Sequence, residues 1–388
     1  MNRIIVTIVF CIGWMVCSAQ TKPVAVGAEA TNEYFPLLKG KRIAVLSNHT
    51  GMVGNEHLVD LLKRKDFNVV CIFSPEHGFR GNADAGEHVS SSVDEKTGIP
   101  ILSLYDGDTG KPSVKSMSLF DVLVFDLQDV GLRFYTYYAT MVRMMDACAE
   151  SQKKMIILDR PNPNGHYVDG PILDMKYKSG VGWLPIPVVH GMTLGELAMM
   201  VNGEKWLPEG RICDISVIKC KNYTHQTMYQ LPIPPSPNLP TMKAVYMYPS
   251  TCYFEATPVS LGRGTDKPFL VYGHPNMLSY SFSFTPRSIP GAKNPPQLNK
   301  ICYGVDLSNL SDSDIWKKGV DLTYLIDAYT NLNMGDHFFR SFFEKLIGVS
   351  YVREMIKDGC SADEIKKKWS DDVEKFKKQR APYLLYQE

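Results

Sequence analysis

Apolar positions in the first 165 residues fall into short runs separated by stretches of a different period. Ile43–Leu46, Val69–Phe73, Ile99–Leu104, Val122–Phe125 and Met155–Leu158 are nearly continuous, the pattern of strands buried on both faces. Between them, His57–Lys65 sets Leu58, Leu61 and Leu62 on one helical face, and Tyr137–Ser151 turns Met141, Met144, Met145 and Cys148 inward. A brief helical turn at Tyr34–Leu38 ends at Gly40. Short strands alternating with amphipathic helices imply a parallel sheet with right-handed crossovers. We therefore expect an α/β, Rossmann-like domain over residues 23–165.

The texture changes at about Tyr167. Trp183–Pro187 and Leu231–Pro240 are proline-dense, hence extended and rigid. Thr193-Leu194-Gly195-Glu196 opens an apolar helix running through Val201, and its Thr-x-x-Glu spacing assigns Glu196 to a capping box. Ile212–Ile218 alternates like a strand, and Phe254–Phe269 is a polar, glycine-rich loop. Helices over Phe339–Leu346 and Ala362–Trp369, then a lysine-rich helical stretch, precede an aromatic tail at Tyr383–Tyr386, with Lys366–Lys368 read as a solvated face. The expectation is a smaller α+β domain, residues 166–388, closing over the rim of the first.

At 388 residues the chain has room for two or three domains of about 100–200 residues each. A net charge of +1 gives no basic surface for nucleic acid. The first residues stand apart: Asn2-Arg3, an apolar run from Ile4 to Val16, then Cys17-Ser18-Ala19. That is the build of a secretory signal over residues 1–19, cut after Ala19. The run is too short for a membrane span of about 20 residues. Lipid anchoring at Cys17 wants a small residue before it, where Val16 stands. The expected product is periplasmic or secreted, with no membrane span. Seven cysteines remain after cleavage, an odd number that leaves at least one thiol free. Cys213 and Cys220 could be bridged.

Ligands of a parallel sheet bind beyond the carboxyl ends of its strands. Here every apolar run stops at a polar cluster: Ser47–Gly51, Ser74–Gly78, Tyr105–Gly107, Asp126–Tyr135 and Asp159–Gly165. No GxGxxG follows the first strand and no GxxxxGK[ST] occurs, which argues against dinucleotides and nucleoside triphosphates. A Gly-x-Ser-x-Gly elbow is also missing. His49, His57, His77 and His88 are close in sequence, with Glu76 and Glu87 beside two of them. A zinc site needs three converging ligands, whereas His57 opens a helix and His88 has no clear period, so no metal and no cofactor is expected. Glu76 and Asp126, on neighbouring strand ends, suit glycoside cleavage, in which one carboxyl protonates the leaving oxygen and the other stabilises or attacks. Arg133 and Arg263 suit a substrate carboxylate, which guanidinium binds bidentately. Phe134, Tyr135 and Trp183 offer surfaces for sugar stacking.

The motifs themselves go further. Ser74-Pro75-Glu76-His77-Gly78, Asp126–Tyr137, Asp159-Arg160-Pro161-Asn162-Pro163, His190-Gly191-Met192-Thr193, Pro235–Thr241 and Gly262-Arg263-Gly264-Thr265 resemble the YbbC/NamZ family of exo-β-N-acetylmuramidases over nearly the whole mature chain. The resemblance implies a Rossmann-like domain, a smaller C-terminal domain, and an active site in the cleft between them. It implies release of N-acetylmuramic acid from non-reducing ends of peptidoglycan glycans (MurNAc-GlcNAc), with protein partners unspecified. It maps the family's proposed catalytic glutamate onto Glu76, beside which His77 could orient it or bind substrate. Asn48, Gln128, Arg133, Tyr135, Asp159, Arg160, Asn162, His190, Asn238, Glu255 and Arg263 are the expected substrate-binding residues. The chain departs from the family pattern at His49, where that pattern has proline, and at Ala256 and Leu261. Two other readings stay open at this point. One is a non-catalytic periplasmic binding protein for muropeptides or sugars, since two α/β lobes around a polar cleft describe such receptors as well. The other is a zinc amidase acting on wall peptides.

Overall fold

A computed structural model describes residues 22–75, 79–80, 92–104 and 111–388. Twelve strands occur among them: β1 (Ile43–Ser47), a small hairpin of β2 (Met52–Val53) and β3 (Glu56–His57), β4 (Val69–Phe73), β5 (Ser92–Val93), β6 (Pro100–Leu102), β7 (Val122–Asp126), β8 (Lys154–Leu158), β9 (Ile215–Ile218), β10 (Val271–His274), β11 (Phe282–Phe284) and β12 (Cys302–Asp306). Seven form one sheet in the order β5-β6-β4-β1-β7-β8-β9. All neighbours are parallel except β5, which runs antiparallel on the edge. Counted along the chain, the six parallel strands lie in the order 3-2-1-4-5-6, the doubly wound arrangement whose switch point falls between the first and fourth strands, here β1 and β7.

Alternation along β1 sorts the core. Ile43 and Val45 face one side with Tyr34 and Leu38 of α1 (Thr31–Leu38) and Leu58 and Leu62 of α2 (Leu58–Arg64). Ala44 and Leu46 face the other, with Met141, Met144 and Met145 of α4 (Tyr137–Glu150) and Leu197 and Val201 of α5 (Leu194–Gly203). A five-residue helix, α3 (Val114–Ser118), leads into β7. Helix α2 starts where His57 Nδ1 accepts the Val59 N–H at 3.2 Å. Helix α5 has the expected capping box, Thr193 with Glu196.

The boundary at residue 165 needs correction. Strand β9 pairs with β8, Met155 opposite Ile215, so α5 and β9 complete the first sheet and the first domain extends well beyond Gly165. The rest is built on α6 (Met242–Thr251), the antiparallel sheet β10-β12-β11, and α7 (Asp312–Lys318), α8 (Thr323–Leu332), α9 (Phe343–Ile347), α10 (Tyr351–Lys357) and α11 (Ala362–Arg380). Lys366 on α11 is not simply solvated: its Nζ lies 2.6 Å from the buried Asp169 carboxylate, which also accepts from Trp369 Nε1 and the Val320 N–H. All seven cysteines of the described residues are free, Cys213 and Cys220 included. No described helix is long and apolar enough to cross a membrane.

Candidate active site

Parallel register brings the strand ends level. Ser47 lies opposite Asp126, and Leu46 lies opposite both Phe73 and Phe125, so the polar clusters that follow crowd one rim. Most of their side chains bind one another. Asp126, wholly buried, takes Arg160 on both oxygens, at 2.6 and 3.0 Å, while Arg160 also reaches the Met52 carbonyl at 3.0 Å. Burial alone would lower the Arg160 pKa, and the Asp126 carboxylate more than offsets this, so the guanidinium stays charged. Asn48 donates to the Tyr137 hydroxyl at 2.8 Å and accepts from Thr50. Gln128 donates to the Asp129 and Pro161 carbonyls. Asn162 donates to the Met192 carbonyl at 2.9 Å. Asp159 accepts from Thr193, Gly195 and Tyr386, and burial pushes its pKa up to about 6. His190 accepts the Met192 N–H, and burial pushes its pKa down to about 3, so the ring is neutral.

Among the described residues, these side chains hold the rim loops in shape through bonds to one another. Asp126, expected as a catalytic group, is engaged on both oxygens by the Arg160 guanidinium. Asn48, Gln128, Asp159, Arg160, Asn162 and His190, expected to bind substrate, likewise hydrogen-bond within the rim and brace its loops.

Arg133 needs the sharpest correction. It is fully buried, and its two terminal nitrogens donate to four backbone carbonyls: Pro171, Ile186, Leu346 and Ile347, at 2.7–3.0 Å. Burial lowers its pKa to about 10, which still leaves it charged at neutral pH. Gly348 sits against the guanidinium with φ +89°, and a Cβ there would fall 2.5 Å from Nη2. Arg133 therefore ties α9 to the loop after β7, with both terminal nitrogens spent on backbone carbonyls.

Beside this braced rim is a cavity of about 140 Å³. One wall is Phe134, Tyr135, Thr136 and Tyr137, from the loop after β7 and the start of α4. Ser236, Asn238 and Leu239 of the proline-rich segment, Tyr248 of α6, Glu255, Arg263 and Phe269 form the other, with Val181 at the side. Two rigid loops set its shape: the Tyr135 hydroxyl donates to the Pro235 carbonyl at 2.8 Å, and Asn238 Nδ2 to the Gly291 carbonyl at 2.8 Å. Its charged pair is Glu255 and Arg263, joined at 2.6 Å through one guanidinium nitrogen. Burial alone would lower the Arg263 pKa, but the Glu255 carboxylate outweighs it and raises it. The tyrosines are held neutral: burial, with Tyr137 and Asp129 nearby, raises the Tyr135 pKa well above 10, and burial does the same to Tyr248. The cavity can thus present an apolar, aromatic face, hydroxyls, a carboxylate and a guanidinium to one small polar ring.

Four expected binding residues meet here: Tyr135, Asn238, Glu255 and Arg263, with Phe134 as the expected stacking surface. Glu76 and His77 lie outside the described residues. So do Tyr105–Gly107, His88 and the leader. Pro75 closes the described run after β4, and Phe79 and Arg80 resume it. Arg80 reaches Asp94 at 2.8 Å and Asp60 at 3.2 Å. Val181, Tyr248 and Phe269 line the cavity without any signal in the sequence: Tyr248 lies in an apolar run that reads as core, Phe269 opens another, and Val181 is a lone apolar residue between two glycines. The histidines nearby are engaged elsewhere: His57 Nε2 is 2.8 Å from the Asn48 carbonyl and His49 Nε2 is 2.9 Å from the Pro234 carbonyl. Among the described residues no group of three His, Cys, Asp or Glu is placed to hold a metal ion.

Residues 43–243 match the family described as "Exo-beta-N-acetylmuramidase NamZ, N-terminal", and residues 246–386 match its C-terminal counterpart. The chain is 39% identical over 374 residues to the peptidoglycan β-N-acetylmuramidase NamZ of Bacillus subtilis (strain 168), covering 91% of this chain and 89% of that protein. Two crystal structures of DUF1343 family proteins from Bacteroides fragilis superpose on it. One is 71% identical with a TM-score of 0.89, over 95% of this chain and all of that one. The other is 29% identical with a TM-score of 0.77, over 94% and 99%.

Proposed function

Since this chain belongs to the NamZ family of exo-β-N-acetylmuramidases, we propose that its interdomain cavity is where a terminal N-acetylmuramic acid is cut from a peptidoglycan glycan. The protein is a glycosidase. The observation that carries the siting is the Glu255–Arg263 pair inside a small cavity walled by both halves of the chain. A volume of about 140 Å³ is far below the ~300–1,000 Å³ of ordinary ligand clefts, room for part of one terminal sugar and not for a strand passing through.

Hydrolysis needs a proton on the leaving oxygen and a water at the anomeric carbon, with an oxocarbenium-like charge between. Glu76 supplies the proton, on the strength of its motif. Glu255 is the second carboxylate, positioned to offset the developing positive charge or to activate the water. Arg263 has several N–H donors and spends one nitrogen on Glu255, which leaves others for the lactyl carboxylate that distinguishes N-acetylmuramic acid. Phe134 and Tyr135 pack against the ring. His77 orients Glu76 or binds substrate beside it.

The test is release of N-acetylmuramic acid from an aryl β-N-acetylmuramide by the purified enzyme, repeated with Glu76→Gln. A positioned acid/base is worth roughly 10²–10⁴-fold, so kcat should fall by that range with the melting temperature nearly unchanged. A Glu76→Gln enzyme with near wild-type turnover would remove Glu76 from the mechanism. No release by the wild type would favour the non-catalytic sugar-binding protein.

The apolar leader directs this activity to the cell wall, in the periplasm or outside the cell, after cleavage at Ala19. Mass spectrometry of the mature protein should find Gln20 at the N-terminus, and a lipid on Cys17 would contradict this.

A further inference from the structure

An enzyme that seats one terminal sugar leaves the rest of the chain outside its cavity. A second groove, of about 530 Å³, lies next to the first along two shared elements. Helix α4 gives Tyr137 to the cavity and, less than two turns on and about 9 Å further along its axis, Arg143 and then Asp146 to the groove. The loop carrying Val181 at the cavity wall carries Trp183 into the groove two residues later. That loop is pinned where the Trp183 N–H donates to the Tyr138 hydroxyl at 2.7 Å.

The lining is unusual for a gap between elements. Trp183 and Trp206 both keep part of their surface exposed. Lys178 Nζ and Arg143 Cζ lie 4.1 and 4.5 Å from the Trp183 ring centroid. Lys111 and Arg211 each lie within 3 Å of both Asp146 and Glu150, and the two carboxylates neutralise them. Lys178 is exposed and has the indole face, rather than a carboxylate, as its partner. Indole faces take up the C–H faces of sugars, and cations take up carboxylates. A polymer of sugar rings that bears a carboxylate on alternate units presents both.

The geometry points to this groove as the subsite for the leaving part of the glycan, the sugars on the reducing side of the cut bond. Trp206 is its stacking surface, and Lys178 its carboxylate contact. This rests on the cavity being the catalytic site. It predicts that the enzyme favours strands of several sugars over a simple aryl glycoside, because only strands reach the groove.

The experiment compares kcat/KM on an aryl β-N-acetylmuramide with that on peptide-free glycan strands of defined length, for wild type, Trp206→Ala and the surface variant Lys178→Glu. The strand-to-aryl ratio should fall about tenfold for Trp206→Ala, the usual scale for losing an aromatic anchor. It should fall by a smaller factor for Lys178→Glu, and that fall should shrink as salt is added. A fall in either ratio supports the subsite. Wild-type ratios in both variants would overturn it. Failure of the wild type to release N-acetylmuramic acid from either substrate would overturn the glycosidase reading, and the subsite with it.

Discussion

Two arginines show how little a residue type says about its use. Arg133 and Arg263 look alike in the sequence, each in a family motif and each with a leucine one or two residues before it. Arg133 spends its guanidinium on four carbonyls, whereas Arg263 meets a single carboxylate in a cavity. Removing the first charge strands buried acceptors, each worth about 1–3 kcal/mol if left unpaired. Arg133→Met should therefore lower the free energy of unfolding by at least about 3 kcal/mol, with the preference for muramides over N-acetylglucosaminides intact in the protein that folds. Arg263→Ala should do the reverse: a modest change in denaturant midpoint and a raised KM for muramides only. Denaturant melts and the two-substrate KM ratio separate the cases. A stable Arg133→Met enzyme that has lost the muramide preference would reverse the assignment.

At the scale of elements, the loop from β7 to α4 frames one side of the site. Its Asp129 is buried: Oδ1 accepts the Gly131 N–H at 2.6 Å, and Oδ2 has no partner among the described residues. Burial pushes its pKa from the ordinary 3.8 up to about 7, against the opposing pull of the Gly131 and Val130 amides. The folded state therefore holds this proton more tightly than the unfolded chain does. The stability it lends is complete below about pH 4 and is lost as pH rises through about 7. Asparagine keeps the acceptor without the charge. The advantage of Asp129→Asn over the wild type should grow by up to about 1.4 kcal/mol per pH unit across that window and then level off. Urea melts at pH 4, 5.5, 7 and 8.5 would show it, and an equal difference at all four would mean the carboxyl ionises freely in the folded protein. The loop thus carries a desolvated acid beside the aromatic wall of the cavity, at a cost in stability at neutral pH.

For the whole molecule, the sheet and the site have different boundaries. The first domain closes only when α5 and β9 are added, because β8 would otherwise present a bare edge and the Met155–Ile157 face would lose its cover. A fragment of residues 22–165 should fail to unfold cooperatively by heat or denaturant. A sharp transition with an intact far-ultraviolet spectrum would show that the sheet is complete without β9. The cavity needs still more of the chain, with walls that start at Phe134 and end at Phe269.

The local pattern of this chain determined the inner strands of the main sheet and their order of appearance, because burial on both faces writes itself as short apolar runs, whereas β10, β11 and β12 are each broken by a glycine or a serine. Val69–Phe73 is predicted and observed over the same residues. It also determined the capping role of Glu196, which depends on residues three apart, and the family, which rests on long motifs. It did not determine which polar residues at the strand ends are free. Asp126 and Arg160 are 34 residues apart and saturate each other, while Arg133 finds its acceptors at Leu346 and Ile347, more than 200 residues on. Such pairings depend on which loops the fold brings together, and no spacing along the chain encodes them. Tertiary structure alone decided that Glu255 and Arg263 face a cavity, that Asp126 and Arg133 do not, and that Trp183 belongs to a neighbouring groove.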